Sequence, residues 1–450
     1  MGIPVVTVGR TPDDLVGGLE RLHGPVSVVR RCSELAELLA ACQTGLARAA
    51  VVAEGSGELT ASLVDRLSAV GVAVVALTDS PEESARLRGI GVTAEASGVE
   101  AAALAALIAG AVAELAGARP GPPASGLADP SAALHPQASP DRTLDGGAGA
   151  EWDGPGTGGA GTTTGTGRII AVWGPAGSPG RTLVAANMAG ELAAEGKSVL
   201  LVDADSYGAS VVAVLGLLDE AAGLAQACRL ADQGLLDGEA LRRITVPVST
   251  RAGTFRVLTG ITRADRWTEL RAAALALVYE RAREIAEVTV IDAGFCLEAD
   301  EELSFDSIAP RRNAATLRSL ELADTVYAIG AADSVGVPRL VRGLAELNAA
   351  VPQARPRVVL NKVRASAVGR SPERQLREAW ARYGPTVPLE AFLPADPAAC
   401  DAALLAGSLL LESVPDSALR RAIRDVVCAP AQQKRISSVL SSTAKPRLKD

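Results

Sequence analysis

The sequence runs to 450 residues with a formal net charge of -8, 44 basic residues against 52 acidic ones. That length holds two or three domains of roughly 100 to 200 residues, and that balance argues against nucleic-acid binding through a broad basic surface. Hydrophobic residues make up 48% and aromatic residues only 3%, so the core has to be built from Ala, Val and Leu, as in helix-covered parallel sheets. At the N-terminus, MGIPVVTVGR lacks a charged region followed by a long apolar one, and no uncharged apolar run approaches ~18 residues. The expectation is a soluble cytoplasmic protein. Short apolar runs then alternate with helical patterns: strands at 5–8, 26–29, 49–53 and 72–77, helices near 13–22, 33–45, 60–70, 82–89 and 99–115. Such alternation predicts right-handed βαβ crossovers and a parallel sheet.

In order and length, residues 1–118 resemble a response-regulator receiver domain. Such a domain holds Mg²⁺ on acids after its first strand, takes phosphate on an Asp after its third and keeps a Lys after its fifth. Here the first exit reads GRTPDD, so Asp13 and Asp14 come late and start a helix. The third reads AEGSGE, with Ala53 or Glu54 at the acceptor place, and no Lys lies between Gly91 and Glu100. Thr78 alone matches a receiver's switch hydroxyl. The resemblance implies a degenerate receiver, an interaction module without phosphoryl chemistry. Residues 119–167 shift to Gly, Pro, Ala, Ser and Thr, with almost no large apolar residue besides Trp152. A segment of that composition cannot offset its ordering entropy and reads as a flexible linker.

Residues 168–428 open on RIIAVWGPAGSPGRTLVAANMAGELAAEGKSVLLVDAD. An apolar strand (169–173) enters a Gly- and Pro-rich turn, an amphipathic helix leaves it, and a second apolar run ends on Asp203 and Asp205. Small residues in such a turn let backbone N–H groups close around phosphate oxygens, with the positive end of the helix dipole behind them. An insertion at 221–251 has helical spacing; after it come a strand at 254–258, a helix at 267–286 and a strand at 288–292. A helix near 313–323, a strand at 325–329, a helix at 336–349, a strand at 358–360 running into Asn361-Lys362-Val363 and a last helix near 419–427 complete the pattern. The fold class predicted for this part is α/β, a doubly wound parallel sheet with ligands at the carboxyl ends of its strands.

The turn resembles the deviant phosphate loop of the ParA/MinD family of P-loop NTPase-like proteins, written K-G-G-x-G-K-T. In register with that pattern stand Ala176-Gly177-Ser178-Pro179-Gly180-Arg181-Thr182. Further parts follow in the family's order: VLLVDADSYG with Asp203 and Asp205, VTVID with Asp292, LNKV with Asn361, and LPADPAACDAALLAGSLLLESVPDSALRRAI before the end of the last helix. The resemblance implies ATP and Mg²⁺ as cofactors. It places the nucleotide on Gly177, Ser178, Gly180, Arg181, Thr182, Leu183 and Asn361, the metal on Thr182, Asp203 and Asp292, and the attacking water at Asp205.

Departures from the pattern concern chemistry. The family's first Lys reaches a dimer partner's phosphates, and here it is Ala176. The second is a compact ammonium, and here it is Arg181, a larger planar fork. Ser178 narrows the backbone choices, and Pro179 removes an N–H that could have faced phosphate. Positioning and charge neutralisation drive phosphoryl transfer, so hydrolysis should suffer more than binding.

A receiver-like domain joined to such a loop resembles the CpaE/TadZ branch, localisation factors of Flp-type (Tad) pilus assembly. The string WGPAGSPGRT looks like that of actinobacterial relatives labelled septum site-determining protein (Ssd). The resemblance implies a positioning or regulatory homodimer with protein partners in division or Tad pilus machinery. Recruitment to the inner face of the membrane, the pole or the septum goes with it. A second reading keeps an active ATPase cycling on membrane or nucleoid. Residues 429–450 read as a disordered tail, whose apolar set (Ile436, Val439, Leu440) offers little burial to a membrane. The six cysteines stand far apart without a C-x-x-C pair, and two histidines are too few to complete a metal site with them. They read as small buried residues in a reducing compartment.

Overall fold

The computed structural model describes residues 2–9, 15–22, 24–118, 167–217, 221–299 and 310–428. The readings of Asp13 and Asp14, of Trp152 and of the tail lie outside those residues.

The first part forms five parallel strands, β1 (Ile3–Val8), β2 (Val26–Cys32), β3 (Ala49–Val52), β4 (Ala73–Leu77) and β5 (Thr93–Glu95), in the order β2-β1-β3-β4-β5. That is the doubly wound order with its reversal between the first and third strands. Helix starts follow local chemistry. Thr60 accepts the Leu63 N–H ahead of the helix Ala61–Ala69, and Ser80 accepts the Glu83 N–H ahead of Pro81–Gly89, whose Pro sits where no N–H is needed. The three-residue β5 was not predicted, because TAE carries no apolar run.

The second part forms eight strands: β6 (Arg168–Trp173), β7 (Val199–Ala204), β8 (Val246–Ser249), β9 (Thr254–Leu258), β10 (Val288–Ala293), β11 (Thr325–Ala331), β12 (Pro356–Val363) and β13 (Leu389–Pro394). Their order is β13-β12-β11-β6-β10-β7-β9-β8. Every neighbouring pair is parallel except β8 with β9. The insertion is therefore only partly helical: after the helices Gly223–Asp232 and Gly238–Ile244 it ends in an antiparallel edge strand. Pro247 lies in that strand, and an edge tolerates the missing donor. The helix expected from Trp267 begins instead at Ala272, behind a 3₁₀ turn at Ala264–Glu269.

Core packing fixes what stands at the carboxyl ends of these strands. The helix Arg181–Ala194 is buried continuously from Val184 to Ala193, which is why it is built from Ala, Gly, Val and Met. Its two buried polar residues are satisfied. Asn187 donates to the Leu183 carbonyl and accepts the Leu410 N–H, both at 2.8 Å, and Glu191 takes two bonds from Arg420 at 2.6 and 2.9 Å. On the other face Tyr279 is fully buried, its hydroxyl 2.7 Å from that of Ser319. The two parts touch: Ser62 N–H donates to Asp232 at 2.8 Å and Arg86 to the Gln233 carbonyl at 3.0 Å, while Ala273 and Leu277 pack on the first core. Among the described residues no helix is long and apolar enough to cross a membrane.

Candidate functional site

β6 has β10 on one side and β11 on the other, and β7, next in sequence, pairs beyond β10. The strand order reverses around β6, so a crevice opens where β6, β10 and β11 end. The loop 174–180 fills that end. Gly180 (φ 97°) sits at the N-cap of Arg181–Ala194 without a side-chain cap, so the first N–H groups of a 14-residue helix face the crevice. A Cβ on Gly180 would stand 2.5 Å from Asn361 Nδ2, so only glycine fits there.

Three carboxylates converge beside it. Asp292 on β10 is paired in register with Asp203 on β7, which puts the two on one side of the sheet, each about 1% exposed. Asp203 accepts the Val211 N–H at 3.0 Å and the Asp205 N–H at 3.3 Å. Neither Asp292 oxygen has a partner at full hydrogen-bond geometry, although the Thr182 hydroxyl is near enough to favour its ionised form slightly. Burial, and then the charge of Asp203, push the Asp292 carboxyl well above the usual carboxylate range; burial pushes Asp203 up as well. A buried carboxylate with no donor calls for a cation. Among the described residues no group of three His, Cys, Asp or Glu side chains makes a metal site unaided. Thr182 on the neighbouring helix start, its hydroxyl 3.4 Å from that of Ser210, can supply an oxygen, and ligand oxygens would supply more. The predicted set Thr182, Asp203 and Asp292 thus fits a hard divalent cation.

Arg181 is held at the edge of the crevice by two partners. Its Nη1 donates to the Gly174 carbonyl at 2.8 Å and its Nη2 to Asp205 Oδ2 at 3.0 Å. The two side chains are 12% and 9% exposed. Asp205 also accepts the Tyr207 and Gly208 N–H groups at 2.9 and 3.2 Å. The residue matched to phosphate binding and the residue matched to water positioning are therefore bonded to each other.

Asn361, at the end of β12, donates from Nδ2 to the Pro179 carbonyl at 2.8 Å. Leu183 packs its side chain against the core under the helix, so only its backbone is placed to meet a ligand. Gly177 (φ 108°) lies under Arg339, whose Nη1 would be 2.4 Å from a Cβ at that position. The cavity bordering Ala176, Gly177, Asp333 and Arg339 measures about 110 Å³, below the roughly 300 Å³ of common small-molecule sites. Thr182, Asp203, Asp292 and Asn361 do not border it.

Sequence reasoning missed Lys362, whose Nζ donates to the Ser178 carbonyl at 2.7 Å, although LNKV was in view. It also missed the crevice rim, where Arg312 lies 3.9 Å over the Tyr207 ring and Tyr207 donates to Asn313 Oδ1 at 2.8 Å. No periodicity marks those residues.

Residues 170–405 match the family model described as the CobQ/CobB/MinD/ParA nucleotide binding domain, just over half of the chain. No curated protein matches significantly. Similar solved structures include the cell division ATPase MinD of Pyrococcus furiosus, 21% identical, covering 61% of this chain and 99% of that one at a TM-score of 0.45. The septum site-determining protein MinD of Pyrococcus horikoshii, complexed with Mg-ADP, is 19% identical and covers 62% and 99% at 0.44. A ParA family ATPase from Chlorobium tepidum is 18% identical and covers 58% and 99% at 0.48. With TM-scores under 0.5, none of these likenesses bears on function.

Proposed function

Because the chain belongs to the CobQ/CobB/MinD/ParA nucleotide-binding-domain family, we propose that residues 168–428 bind ATP with Mg²⁺ at the loop 174–182 and use it to set a conformation. Hydrolysis is slow or absent. One observation carries the switch: Arg181 is paired with Asp205 at 3.0 Å, so ATP has to part the pair to reach the loop's cation, while slow hydrolysis goes with Ala176 and Arg181 standing where the family keeps its lysines. Gly177, Ser178, Gly180 and Thr182 would meet phosphates, and Asn361 the base. Thr182, Asp203 and Asp292 would hold the metal. Bound Mg²⁺ would neutralise charge on the phosphates. The chain's own residues orient the triphosphate and keep Asp292 dry.

The output is position. The receiver-like residues 1–118 act as a docking module for proteins of a division septum or a Tad-type pilus, as in the CpaE/TadZ branch and its Ssd relatives. A homodimer at the inner face of the membrane, the pole or the septum is the working form. The unpartnered Asp292 carboxylate favours a second reading, an ATPase cycling on membrane or nucleoid, since it leaves the metal side of the chemistry intact. Calorimetric titration with ATP and Mg²⁺, followed by a phosphate-release assay, separates the two. Binding without turnover supports the switch, sustained turnover supports the cycling ATPase, and no binding removes both. A fluorescent fusion then distinguishes septum from pole.

A further inference from the structure

Among the described residues two that are not glycine adopt a positive φ, Ser178 at 53° and Lys362 at 60°. They are bonded to one another, Lys362 Nζ to the Ser178 carbonyl at 2.7 Å. The adjacent residues repeat the link: Asn361 Nδ2 holds the Pro179 carbonyl at 2.8 Å, and Asn361 Oδ1 takes the Lys362 N–H at 2.8 Å. Left-handed backbone strains any residue with a Cβ, and neither Ser nor Lys relieves it as glycine would. Such a conformation persists where its surroundings over-determine it. Here each strained turn is a partner of the other.

We propose that the strand end Asn361-Lys362 is a brace that holds the phosphate loop in its left-handed turn, with Lys362 as the positioning residue that makes serine tolerable at 178. Geometry gives the brace its use. The described peptide bonds are all trans, and in a trans peptide the carbonyl and the N–H point in opposite directions. Fastening the Pro179 carbonyl to Asn361 therefore aims the Gly180 N–H away from the strand end, toward the mouth of the crevice. The Ser178–Pro179 peptide has no N–H of its own to anchor it, so its plane is set through the Ser178 carbonyl, where Lys362 holds it. A phosphate-bearing ligand would then meet a loop already in shape. That last step rests on the nucleotide reading; the brace belongs to the ligand-free chain.

The test is amide hydrogen exchange across Gly177–Val184 in the full-length protein without ligand, for wild type, Lys362→Met, Ser178→Gly and the double variant. Lys362→Met should speed exchange at Val184, whose N–H donates to the Gly180 carbonyl at 3.0 Å, on the order of tenfold. In the Ser178→Gly background the same change should cost no more than about twofold, because glycine holds the turn unaided. Lys362→Arg, which keeps a donor, should stay close to wild type even if the Met variant folds poorly. Unchanged exchange in Lys362→Met, or equal acceleration in the serine and glycine backgrounds, would overturn the brace. Titration of the same variants with ATP and Mg²⁺ should show a loss of affinity for Lys362→Met that Ser178→Gly restores. If wild type binds no ATP, the nucleotide reading fails while the exchange data still decide the brace.

Discussion

Asp205→Asn should tighten ATP binding, although it removes a residue of the candidate catalytic set. Arg181 must leave Asp205 before its guanidinium can meet a phosphate. At 3.0 Å, with side chains 12% and 9% exposed, the raw attraction at an effective dielectric near 20 is a few kcal/mol, and desolvation offsets most of it. A net hold of about 1.4 kcal/mol leaves the arm free roughly a tenth of the time, which weakens apparent affinity about tenfold. Asparagine keeps an oxygen for the Tyr207 and Gly208 N–H groups, so the turn survives while the ionic hold is lost. Calorimetric titration with ATP and Mg²⁺ should therefore show a gain of about fivefold to tenfold. Losing a negative charge near a triphosphate could give the same sign, so the cycle is closed with Arg181→Met. In that background Asp205→Asn should gain about twofold or less. An equal gain in both backgrounds, or none in either, would refute the latch.

Three further outcomes follow from the geometry. Asp292 has a folded-state pKa raised above its unfolded value, so the stability tied to its neutral form is full below about pH 4 and is lost as pH rises through about 8. Asp292→Asn should flatten that decline in thermal melts with chelator, and an unchanged pH slope would contradict the assignment; added Mg²⁺ should raise the wild-type melting temperature at pH 8 and leave the variant where it is. Gly180→Ala should lose ATP binding by more than tenfold, because its φ is 97° and the new Cβ would meet Asn361 Nδ2 at 2.5 Å; retained affinity in titration would show that the loop relaxes. Arg420→Ala leaves Glu191, about 1% exposed, without its two bonds, and should cost about 3 kcal/mol in urea unfolding; a loss below about 1 kcal/mol would mean that water reaches Glu191.

The alternation of strand and helix was legible because apolar runs of Val, Ile and Ala recur at βαβ spacing; the ends of β7, β10 and β12 were legible because Asp203, Asp292 and Asn361 interrupt their apolar runs, and that of β6 because Gly174 and Pro175 follow it. β8 was not, since Val246 and Val248 offer only two alternating positions after a helical stretch rich in Leu and Arg. Nor was the break before Ala272, where LRAAALALV continues a helical pattern through an extended Arg271. At the site, Gly177, Gly180, Thr182, Asp203, Asp205, Asp292 and Asn361 could be listed from motif order. Two pairings that decide how the site works could not. Arg181 meets Asp205 across 24 positions and Lys362 meets Ser178 across 184, and each depends on a rotamer or a φ that no spacing encodes.

The most direct test is phosphate release by the wild-type protein at saturating ATP and Mg²⁺, with occupancy fixed beforehand by calorimetry. Ala176 and Arg181, standing where the family keeps its two lysines, predict a filled site that releases no more than about one phosphate per chain over an hour, a rate below typical enzyme turnover by several powers of ten. Sustained release of many phosphates per chain over the same hour would contradict it.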